Sequence, residues 1–86
     1  MNAAALINER AITHGDYSDT ARTAQTLKEV YRNAPGWYRL TPRQRESMEA
    51  EAVKNARILC GDPNEPDHWR DKIGYSKLVL DGIEGE

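Results

Sequence analysis

Three clusters of turn-forming residues cut this chain into four segments, and none of the four reads as a strand. The clusters are His14-Gly15-Asp16, Ala34-Pro35-Gly36 and Gly61-Asp62-Pro63-Asn64-Glu65-Pro66. Glycine permits left-handed backbone and proline removes an N–H donor, so each cluster interrupts regular structure. Between them no run alternates β-branched or aromatic residues with polar ones, as a half-buried strand requires. Apolar residues recur instead at spacings of three and four, the period of a helix face.

The first segment, about Asn2 to Ile12, repeats Ala3, Ile7 and Ala11. The second, about Asp19 to Asn33 with Ser18 as its expected N-cap, places Thr20, Ala24, Leu27, Tyr31 and Ala34 on one side. The third opens with Thr41-Pro42-Arg43-Gln44: a capping threonine, proline at the first helical position, and glutamine positioned to close a capping box. Its apolar side holds Met48, Ala52, Ala56, Leu59 and Cys60, with Val53 at the edge, and Gly61 ends it. The fourth runs from about Pro66 to Leu80, with Trp69, Ile73, Ser76 and Leu80 as the expected inner face. A second stripe carries Asp67, Asp71, Gly74 and Leu78, and the tail at residues 80–86 is expected to fray. The expected architecture is all-α: a single domain, residues 1–86, folded as a small bundle of three to four helices and oligomeric.

Size and charge narrow the function. A chain of 86 residues buries a modest core, so a site is expected on a helix face or between subunits, not in a deep pocket of one copy. One cysteine, Cys60, excludes an internal disulfide framework and fits a reducing compartment. The longest apolar run, Ala3 to Ile7, is far short of a membrane span, and no basic region followed by an apolar stretch marks a secretory signal. A net charge of −2 lacks the basic excess of a general nucleic-acid coat, so nucleic acid is not an expected partner. It leaves room for a small phosphorylated ligand held by two or three placed cations.

Four constellations bear chemistry. His14-Gly15-Asp16-Tyr17 is a turn that can present a carboxylate, or simply connect two helices with Asp16 as the cap. Glu46-x-x-Glu49 sets two carboxylates on one side of a helix; Glu49 falls within the apolar arc, where it needs a cation or a metal, and Glu46 lies on its rim. Lys54-x-x-Arg57 sets two cations one turn apart, suited to a di- or triphosphate, with pairing of Lys54 to Glu51 as the plainer reading. In the fourth helix, Asp71 shares a stripe with Gly74. A glycine within a helix costs about 1 kcal/mol and asks for close approach of a helix or ligand, and Asp71 asks for a partner such as Arg57 or a metal. His14, His68 and Cys60 lack zinc spacing. Trp37 and Tyr38, in a Pro-Gly loop, suit an interface anchor.

Taken in order, Arg10-x-x-x-His14-Gly15-Asp16-Tyr17, Lys54-x-x-Arg57 and Asp71-x-x-Gly74-Tyr75 resemble a family of small helical proteins found mainly in bacteriophages and prophages. The pattern is a Gly-Asp-Tyr or Tyr-Gly-Asp turn, a Lys-x-x-Arg helix and a final Asp-x-x-Gly-Tyr helix. It is similar to the nucleotide-modification-associated domains of phages and, more distantly, to the MazG-like all-α nucleoside triphosphate pyrophosphohydrolases. The resemblance covers roughly residues 6–80. It implies a helical bundle, often oligomeric, handling a nucleotide in the cytoplasm of the bacterial host.

The distant enzymes bind magnesium with a Glu-x-x-Glu pair and a later Glu-x-x-Asp pair. Glu46-x-x-Glu49 matches the first, while Asp67-x-x-x-Asp71 departs from the second. The expected function is nucleotide binding with magnesium-dependent pyrophosphohydrolase-like chemistry. Lys54 and Arg57 then hold phosphate, with Tyr17 or Tyr75 on the base or sugar. Glu49 and Asp71 are the catalytic and metal-binding candidates, with Glu46 as a further metal ligand and Asp16 organising the ligand site. The alternative is a non-catalytic counter-defence protein, anti-CRISPR-like in acting through its surface, that sequesters a signalling nucleotide or inhibits a host or defence protein.

Overall fold

The computed structural model describes residues 2–85, and among them there are four α-helices, one short 3-10 turn and no strand. Helix α1 spans Ala3–His14, α2 Tyr17–Asn33, α3 Pro42–Cys60 and α4 Pro66–Ile83, with the 3-10 turn at Trp37–Arg39. No helix among the described residues is long and apolar enough to cross a membrane.

The helix starts follow side-chain chemistry. Asn2 caps α1 by accepting from the Ala5 N–H at 2.8 Å. The carboxylate of Asp16 caps α2, accepting from Asp19 N–H at 3.2 Å, so α2 begins two residues before the sequence reading placed it and Ser18 is its second residue, not its cap. Thr41 and Gln44 close the expected capping box on α3: the Thr41 hydroxyl accepts from Gln44 N–H at 3.2 Å and the Gln44 side chain accepts from Thr41 N–H at 3.0 Å. Helix α4 continues through Asp81, Gly82 and Ile83, three residues past its expected end at Leu80. An ion pair between Lys77 and Asp81, one turn apart, supports that extra turn.

Helix α3 is the centre of the bundle, with α2 on one side and α4 on the other. Its two fully covered apolar residues are alanines, Ala52 and Ala56, and Ala24 of α2 is the third buried apolar residue. Small side chains let the three helices approach closely but bury little area. The other buried residues are polar: Thr20, Ser47 and His68. Helix α1 buries no residue and projects from the rest. The radius of gyration is accordingly 14.6 Å, against about 12 Å for a compact chain of this length.

The face that α4 turns to α3 differs from the expected one. Trp69, Ile73, Ser76 and Leu80 are exposed, and Ile73 is 70% exposed. The packed face runs through His68, Lys72, Tyr75 and Val79, with His68 only 1% exposed. The second sequence stripe, Asp67, Asp71, Gly74 and Leu78, is exposed on the other flank. The two sequence stripes therefore bracket a contact face on which every residue but Val79 carries a polar group.

Candidate functional site

The turn between α1 and α2 is pressed against the end of α3 at two glycines. Gly15 has φ 82°, and a Cβ there would stand 2.4 Å from the carbonyl oxygen of Cys60. A Cβ on Gly61 would stand 2.4 Å from the Thr13 carbonyl oxygen and 2.6 Å from the Gly15 nitrogen. These are backbone atoms that cannot swing aside, so only glycine fits at either point. The crossing is held by hydrogen bonds. Asp62 N–H donates to the Thr13 carbonyl at 3.0 Å, and the buried Thr20 hydroxyl lies 2.9 Å from the His14 carbonyl oxygen and 2.8 Å from that of Asp16. Thr23 Oγ1 and Cys60 Sγ meet at 3.5 Å just behind it.

His68 completes the junction from α4. Its Nε2 lies 2.9 Å from the Thr13 carbonyl oxygen, which only accepts, so this nitrogen carries the proton and donates. Its ring lies 5.1 Å from that of His14, centroid to centroid, tilted by 44°. His68 thus brings the first turn of α4 onto the last turn of α1, and with it Asp71, one turn further along.

On this junction the charged side chains gather. Lys54 Nζ of α3 meets Asp71 Oδ2 of α4 at 2.6 Å, with the Lys54 side chain only 13% exposed. That hydrogen bond, followed by the Lys54 charge, holds the Asp71 carboxyl below its usual range, and His68 and Arg57 act in the same direction. Burial is the first cause lowering the His14 pKa below its ordinary 6.5, followed by Arg57, His68, Lys54 and Arg10. The charges of Arg57, Lys54 and Arg10 thus all act on His14, and Asp71 is paired with Lys54.

The remaining candidates fall in two groups. Asp16 and Tyr17 ride on the same turn: Asp16 is engaged in capping α2, and Tyr17 is 82% exposed at its first position. Tyr75, one turn beyond Asp71, is half-buried. Gly74 beside it has no atom within 4 Å of where a Cβ would stand, so no helix of this chain approaches it and the close-approach reading is not met within the fold. Away from the junction, Glu49 is paired with Arg32 of α2, and Glu46 is exposed on α3. Lys54 takes Asp71 as its partner across the helices, and Glu51 instead accepts from the Ser76 hydroxyl. Among the described residues no three His, Cys, Asp or Glu side chains are grouped to hold a metal ion.

Trp37 is fixed by its neighbours. It stacks on Tyr31 with centroids 6.4 Å apart, and Arg45 lies 5.7 Å from its ring centroid while donating to the carbonyls of Trp37 and Tyr38. The arginine is therefore engaged with this loop, and Tyr38 alone points out, 76% exposed. Sequence reasoning missed His68, whose only signal was its place four, seven and eleven residues before Lys72, Tyr75 and Val79. Comparison with protein-family models, with curated proteins and with solved structures finds no match to this chain.

Proposed function

We propose that this chain binds a nucleotide or other small phosphorylated molecule at the α1–α3–α4 junction. The observation that carries the reading is the Lys54–Asp71 pair where α1, α3 and α4 meet, with Lys54 and Arg57 acting on both Asp71 and His14 and Arg10 acting on His14. In this reading Arg57 offers its planar fork to phosphate oxygens, and Lys54, oriented by Asp71, supplies a second donor. Tyr17 is exposed on the same turn for a base or sugar to lie against, and Tyr75 lies one turn past Asp71. Gly74 adds support: a helical glycine touching nothing in its own fold leaves room for a ligand beside Asp71.

The donor set does not fit a magnesium ion held by the protein alone. Glu49 is bound to Arg32, Asp71 to Lys54, and no three ligating groups stand together among the described residues. That observation favours sequestration without turnover over the hydrolytic reading. Counter-defence in a phage-infected cell, by removing a signalling nucleotide, is the role consistent with it.

The test is calorimetry and thermal shift across nucleotides, each with and without magnesium, on the parent chain, Arg57→Ala and Lys54→Met. A ligand at about 100 times its dissociation constant stabilises the parent by about 2.7 kcal/mol, and the two variants lose that shift. A ligand shift that survives both substitutions refutes the site, and nucleotide-dependent release of phosphate or pyrophosphate refutes sequestration.

A further inference from the structure

We propose that the exposed face of α4 is a self-association seam, on which a second copy of this chain seats its own α4 antiparallel across a two-fold axis. Trp69, Ile73, Ser76, Leu80 and Ile83 follow one another at spacings of four, three, four and three, the pattern of a coiled-coil seam. In one copy this seam faces solvent: Trp69 is 47%, Leu80 50% and Ile83 67% exposed. Two shallow grooves, of about 600 and 380 Å³, lie along it between α3 and α4, reached by Met48 and Glu51.

The occupant follows from the area. One copy exposes 6110 Å², whereas a compact monomer of 9.7 kDa exposes about 5,100 Å². The excess, about 1,000 Å², is shared between α1, which buries no residue, and the bare face of α4, and it is larger than the roughly 800 Å² that each partner gives up in a standard-sized interface. A core whose fully buried apolar residues are three alanines supports the same conclusion, because many of the large apolar side chains, those of the α4 seam among them, stay exposed. The stripe on α1 is a poorer candidate: Ala3, Ile7 and Ala11 offer one large side chain among alanines.

The antiparallel arrangement follows from the seam's own layout. Ser76 is its midpoint, a small residue where two helices can approach on the axis, with Ile73 and Leu80 then packing across it. Antiparallel mates also set opposite helix dipoles side by side. Asp71 lies about 200° around the helix from Trp69, so the seam and the ligand junction occupy different sides of α4 and stand or fall separately.

Sedimentation and light scattering on the parent chain at micromolar concentration test this directly. The expected mass is twice the 9.7 kDa of one copy. Ile73→Glu, 70% exposed in one copy, keeps its helical circular dichroism and dimerises at least about 30-fold more weakly, while Ile12→Glu on α1 leaves the dimer intact. In a Cys60→Ser background, Ser76→Cys forms a disulfide-linked dimer on mild oxidation. A monomeric parent chain overturns the proposal, including one that gains mass only with a different protein. So does an Ile73→Glu chain that stays dimeric, or a Ser76→Cys chain that fails to cross-link while remaining a dimer.

Discussion

Replacing His68 by alanine should cost about 2–4 kcal/mol, a large part of the roughly 4–13 kcal/mol that holds a domain of this length. The figure comes from two losses. The imidazole is 1% exposed, so its removal leaves a hole between α1, α3 and α4, and deleting buried aromatic rings typically costs about 3–5 kcal/mol, less for this smaller and more polar ring. The Nε2–H bond to the Thr13 carbonyl adds about 1 kcal/mol, with no further penalty for a stranded acceptor, because Asp62 N–H still donates to the same oxygen. Urea unfolding followed by circular dichroism, at one protein concentration, measures the loss, and the melting temperature should fall by roughly 10–25 °C. His68→Gln, whose amide can still donate to Thr13, should lose about half as much. A His68→Ala chain within about 0.5 kcal/mol of the parent would refute the claim that this residue ties α4 to α1.

Other expectations are simpler to check. Gly61→Ala should destabilise strongly, because its Cβ meets backbone oxygen and nitrogen, whereas Gly74→Ala should raise stability by about 1 kcal/mol, because it meets nothing. Both are read by thermal melts, and a stabilising Gly61→Ala would contradict the helix crossing. Acidification should weaken the fold in two windows. His14 has its pKa lowered in the folded state, so the unfolded chain takes up the proton first, and stability present above pH 6.5 declines as the pH falls below it. The paired Asp71 carboxyl contributes stability present above pH 3.8 and lost as the pH falls through its lowered folded-state value. His14→Gln should remove the first window alone, and an unchanged pH profile for that variant would count against the burial of His14.

Much of the fold was legible because its helix boundaries are written in local chemistry. The capping box at Thr41 and Gln44 and the proline after the cap satisfy backbone donors that only a helix start leaves open, so they locate α3 without tertiary information. Thr20, Ala24, Leu27 and Tyr31 are covered or partly covered as their spacing indicates, whereas Ala34, the fifth residue of that stripe, caps the end of α2 and is exposed. The direction of α4 was not legible. Hydrophobic spacing marks a face that prefers to be covered but does not say by what, and within one copy His68 and Tyr75 take the inner place because α1 and α3 supply them with partners and contacts. At the junction, Lys54 and Asp71 are readable as residues needing company, but their choice of each other, 17 residues apart in sequence, depends on how α3 and α4 are set side by side. The spacing of Glu49 asks for a cation or a metal, and the cation it meets, Arg32, lies on a helix that the spacing gives no means of choosing.

The Thr13 carbonyl oxygen accepts two hydrogen bonds from far along the chain, from Asp62 N–H and from His68 Nε2–H, and it sits in the last turn of a helix that buries no residue. Helix α1 is thereby clamped at one end and loose at the other. Amide hydrogens near Leu6 and Ile7 should trade with deuterium quickly, while the Gly61–Asp62 amides resist until the whole molecule opens. Proteases should find the same gradient, trimming the amino-terminal turns and stopping short of His14.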